Sequence, residues 1–101
     1  MAIKTLLQQI IDERISFLRE QINPANKPEM NRTFQIQIDA IRSAAAADDL
    51  EKVEAIITQK KELLKNSKDT QEVDRLLAEL EALEWLQAQI AVLYTLEEQE
   101  E

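Results

Sequence analysis

No glycine, cysteine or histidine occurs in this chain of 101 residues, and proline occurs only at Pro24 and Pro28. Each absence removes a class of structure or chemistry. Without glycine, the tight hairpin turns of strand-rich folds lose their usual residue, and no Gly-rich phosphate loop can form. Without cysteine there is no disulfide framework and no thiolate metal site. With histidine missing as well, Ser–His and Cys–His nucleophilic systems and the usual zinc sites are excluded. The longest strongly apolar run is "IAVLY", far short of the roughly 20 residues a membrane span needs. The opening "MAIKTLLQQIIDERI" lacks the continuous apolar core of a signal peptide. A soluble, cytoplasmic protein in a reducing compartment is expected.

What is present favours helix. Apolar residues make up 45% of the chain, and Ala, Leu, Ile, Glu, Gln and Lys dominate, all compatible with helices. The fold class expected is all-α: an antiparallel four-helix bundle in one domain over residues 1–97, with residues 98–101 as a frayed acidic tail.

The first helix is expected from Ile3 to Ile22, where Ile3, Leu7, Ile11, Ile15, Leu18 and Ile22 form one stripe widened by Leu6, Ile10 and Phe17. "NPANKP" ends it, because each proline disfavours the α conformation of the residue before it. Pro28 then suits the first turn of a second helix, expected to reach Ala47, with Met30, Phe34, Ile38, Ile41 and Ala45 on one face. Its "SAAAA" segment would admit another helix closely. At "AADDLEKVEAII" the apolar phase slips, and Asp48 with Glu51 has capping-box spacing. This stretch is similar to the helix-hairpin turn of TPR-like repeats, although no 34-residue repetition accompanies it. A turn is expected here; the alternative is one bent helix over 28–66, which would leave three helices. The third helix is expected over Leu50–Lys65. The fourth is expected over Thr70–Glu97, capped by Asp69 with Glu72.

The fourth helix is the informative one. At 1.5 Å per residue it should be about 42 Å long. A compact domain of this size is only about 33 Å across, so the helix should overhang unless the bundle is elongated. One stripe, Val73, Leu76, Leu80, Leu83, Leu86, Ile90 and Leu93, belongs to the core. A second line runs through Ala78, Ala82, Trp85, Val92 and Leu96, interrupted by Gln89. Two apolar sides imply burial from two directions, by other helices of the chain or by a second subunit. A homo-oligomer, with a dimer favoured, is therefore expected, with Trp85 and Tyr94 as anchors. The alternative is that Trp85 caps the bundle's own core.

Charge is divided unevenly. Residues 1–68 carry 11 basic and 10 acidic residues, whereas residues 69–101 carry Arg75 against 10 acids. So acidic a segment repels nucleic acid and anionic membrane, so neither is an expected partner. Glu79, Glu81 and Glu84 could face a basic protein partner, or serve only solubility. Glu51 with Glu54, and Glu81 with Glu84, have E-x-x-E spacing that could hold Mg²⁺. In that spacing alone they resemble the helical acidic pairs of all-α nucleotide pyrophosphatases of the MazG kind, whose fuller acidic pattern is missing. The leading expectation is a non-catalytic helical protein-interaction module (an adaptor, assembly factor or inhibitor) with no catalytic residue, metal site or cofactor. Two alternatives remain. One is an acidic inhibitor of phage type that fills a basic nucleic-acid-binding groove of a host enzyme. The other is a Mg²⁺-dependent pyrophosphatase.

Overall fold

A computed structural model describes the backbone of residues 3–45 and 50–100, and the side chains of residues 5–44 and 50–96. Four helices make up the described chain: α1 (Ile3–Gln21), α2 (Pro28–Ala45), α3 (Leu50–Asn66) and α4 (Thr70–Glu100). No strand occurs among the described residues. The expected all-α bundle is thus observed, with four helices rather than three. The α2–α3 connection, including Asp48 and its expected cap, lies outside the described residues.

Local chemistry explains the remaining boundaries. The carbonyl of Lys27 accepts from the amides of Met30 and Asn31 at 3.0 and 3.3 Å, so Pro28 occupies the first helical position, where its missing N–H costs nothing. Three asparagines tie the α1–α2 loop together, which the prolines alone did not announce. The Asn26 side chain donates to the Gln21 carbonyl at 2.7 Å, covering one of the unpaired carbonyls that end α1. Asn31 reaches back to Asn23, accepting from its amide at 3.2 Å and donating to its carbonyl at 2.9 Å. At α4 the Asp69 carboxylate accepts from the Gln71 amide at 3.0 Å, the bond an N-cap makes. Glu72, its expected capping-box partner, lies 3.7 Å from Arg75.

The bundle is built around α4, which packs against each of the other three helices, while α1 also packs on α2. Direction follows from the cross-helix pairs. Gln87 meets Glu54, Glu84 meets Lys61 and Glu79 meets Lys60, so α3 runs antiparallel to α4. Leu7, Ile11, Ile15 and Leu18 of α1, Ile38, Ile41 and Ala44 of α2, and Val53 and Ile57 of α3 close on Leu80, Leu83, Leu86, Ile90 and Leu93 of α4. Leu76 is fully buried too, outside that cluster, so the predicted α4 stripe is buried, with only Val73 half-buried at its start. On α2 the buried row is shifted from expectation: Ala44 is buried, Phe34 is half-buried and Met30 is exposed.

The molecule is flat, with extents of 47 × 34 × 18 Å and a radius of gyration of 14.8 Å. A compact chain of this length has a radius of about 13 Å. The 31 residues of α4 correspond to about 46 Å, which matches the longest dimension. The expected mismatch between helix and globule is resolved by elongation. The cost is exposed surface: 6986 Å² is accessible, about 1,100 Å² more than a compact monomer of this size exposes.

Candidate binding surface

The second apolar line of α4 divides at Trp85. Above it, Ala78 and Ala82 are each only 5% exposed, covered by helices of the same chain. Ala78 and Ala82 were expected on a partner-facing surface; in the monomer they are already covered. Trp85 is half-buried and packs on the edge of the core. Below it, Val92 is 55% and Leu96 49% exposed.

Helix α1 contributes the other side of this surface. Phe17, expected to widen the core stripe, instead stands 48% exposed. Arg14 explains the arrangement. Its guanidinium lies 5.3 Å from the Phe17 ring centre and 5.2 Å from that of Trp85, within cation–π range of both. The two rings thus flank one cation across the α1–α4 seam. Leu6 and Ile10, half-buried, lie on the same side of α1 as Arg14 and Phe17. The result is an apolar strip in which Trp85, Val92 and Leu96 follow one face of α4, with Phe17 and Arg14 beside the tryptophan. Arg14 and Phe17 were missed as site residues. The signal was present: Ile10, Arg14 and Phe17 share one helical face, which puts a cation in an otherwise apolar row. Tyr94, the other expected anchor, is 40% exposed but points about half a turn away from the strip at 100° per residue.

The three acids expected on one partner-facing surface are not brought together. Glu79 is buried. Its carboxylate pairs with Lys60 of α3 and lies 3.7 Å from Arg75. It is one and four residues from Leu80 and Leu83, inside the core stripe, so the helical period itself assigns it inward. Glu81 and Glu84 are exposed, and Glu84 lies 3.6 Å from Lys61. Lys60 and Lys61 of α3 therefore meet acids of their own chain.

The E-x-x-E pairs are on solvated faces. Glu51 and Glu54 are exposed on α3, where Glu54 accepts from the Gln87 amide at 3.3 Å. Among the described residues no group of three acids is placed to hold a metal ion. The small-residue face of α2 borders a cleft of about 310 Å³, walled by Ala40, Ala44 and Ile56 and floored by α4. Its charged groups answer one another, Lys60 and Arg75 to Glu79, and Asp39 to the Gln35 amide at 3.0 Å. No described helix is long and apolar enough to cross a membrane. No family model matches the chain, and no curated protein or solved structure matches it.

Proposed function

We propose that this chain is a non-catalytic protein-binding module and that the α1–α4 strip is its working surface. The observation that carries the reading is the exposure of Val92 and Leu96 on the line that begins at Trp85. Large apolar side chains gathered around an aromatic pair and an arginine have the composition of an interface centre. Burying them stabilises a complex by about 25 cal/mol per Å² of apolar surface, and leaving them in water gives the monomer nothing.

The acidic-inhibitor reading has less support, because Glu79 is turned inward and α4 presents only Glu81 and Glu84 together among its described exposed acids after Arg75. A row of carboxylates imitating a phosphate backbone needs more than two.

The test is a comparison of captures. Wild type and a Val92→Ser, Leu96→Ser double variant are used as baits in lysate of the source cell, with bound proteins counted by mass spectrometry. At least one protein should be held by wild type and lost from the variant, while the helical circular dichroism of the two baits is the same. Identical captured sets from two folded baits would remove the strip as the working surface.

A further inference from the structure

We infer that the occupant of the strip is a basic amphipathic helix of a different protein, not a second copy of this chain. The inference rests on the binding reading above and adds the chemistry of the partner.

Geometry selects a helix. Trp85, Val92 and Leu96 stand at i, i+7 and i+11 on one face of α4, about 16 Å from first to last. The half-buried Leu6 and Ile10 side of α1 forms the opposite border. A seam between two helices, apolar at Trp85, Val92 and Leu96 with Gln89 between them, matches the mode in which an amphipathic helix lays its i, i+4 and i+7 anchors into a groove.

Charge selects the partner. Glu13, four residues before Phe17 on α1, is exposed at the strip's edge, and Glu81, four residues before Trp85 on α4, is exposed at the other. Beyond Arg75 the last helix carries no basic residue at all. Arg14, the described cation on the strip, lies between two rings. A second copy related by a two-fold axis would bring Glu13 and Glu81 against the same two acids, on a helix with no basic residue after Arg75 and with a net charge of −8 on each chain. Like charges across an interface suppress that pairing, whereas a lysine- or arginine-bearing helix turns the same border into an attraction.

The experiment uses the intact chain and a displayed library of helical peptides with randomised charge, panned on wild type and counter-selected on the Val92→Ser, Leu96→Ser variant. Enriched peptides should carry net positive charge around an apolar face. Their affinity, read from the emission of Trp85, should fall at least about tenfold on the double variant. It should also fall in a Glu13→Lys, Glu81→Lys variant, and as salt is raised from about 0.05 to about 0.5 M. Light scattering at two concentrations should show a monomer. Neutral or acidic winners, or no strip-dependent winners, overturn the inference. So does a concentration-dependent dimer that Leu96→Ser dissolves. Strip-dependent capture of a protein that offers no basic helix would sink this inference alone and leave the binding reading standing.

Discussion

Truncating Leu86 to alanine should separate the two sides of α4 most clearly. Leu86 is fully buried midway along the helix that packs on all three others. Leu86→Ala removes three heavy atoms from a site whose neighbours sit on separate helices and cannot all close in. The lost transfer energy and the residual cavity together should cost about 3 to 4 kcal/mol. A chain of this length has a total stability of about 5 to 15 kcal/mol, so the loss is a large share of it. With a urea slope near 1.5 kcal/mol per molar, the midpoint should fall by about 2 M. The control is Leu96→Ala, the same chemistry on the same helix at a half-exposed position. It should cost less than about 1 kcal/mol. Both are read by far-ultraviolet circular dichroism and by Trp85 emission, whose transitions should coincide if unfolding is two-state. Equal costs at the two leucines would refute the division of α4 into a buried face and an open one.

Two further outcomes follow from the polar contacts. Lys60→Ala leaves the mostly buried Glu79 with only the more distant Arg75. It should lower stability by about 1 to 2 kcal/mol, whereas Lys61→Ala, whose pair with Glu84 is exposed, should change it by less than about 0.5 kcal/mol. Thermal melts of the two variants compare them directly. Asn31→Ala removes both bonds to the Asn23 backbone and the contact with Asn26. At about 0.5 to 1 kcal/mol for each partly solvated bond, the loss should be about 2 kcal/mol in urea titration, with faster amide exchange confined to the α1–α2 loop.

The helices and the α4 core were legible because a 3.6-residue period repeated over many turns leaves one solution: Leu76, Leu80, Leu83, Leu86, Ile90 and Leu93 are buried as that period requires. Pro28 and Asp69 marked helix starts through local chemistry that needs no tertiary knowledge. The fate of the second line was not legible. Ala78 and Val92 have the same apolar character, but one is covered and the other open. That difference depends on which parts of α4 the other helices cover, which is decided by packing between distant segments. Phe17 was misplaced for a related reason. Its position on the stripe is marginal, and the ring of Trp85, far along the sequence, joins it in flanking Arg14. The role of Glu79 was readable from its register, but attention to charge placed it with Glu81 and Glu84. Its partner Lys60, on another helix, was not readable. The shared-helix expectation is met in part within the monomer itself, since the first half of the second line is covered by the chain's own helices.

The most direct test of the open face of α4 is the Val92→Ser, Leu96→Ser variant, assayed for folding and for binding in the same preparation. Its urea midpoint should lie within about 0.5 M of wild type, because neither side chain belongs to the core, and its hold on the captured partner should be gone. A variant that unfolds far more readily than wild type, or one that still holds every partner, would contradict it.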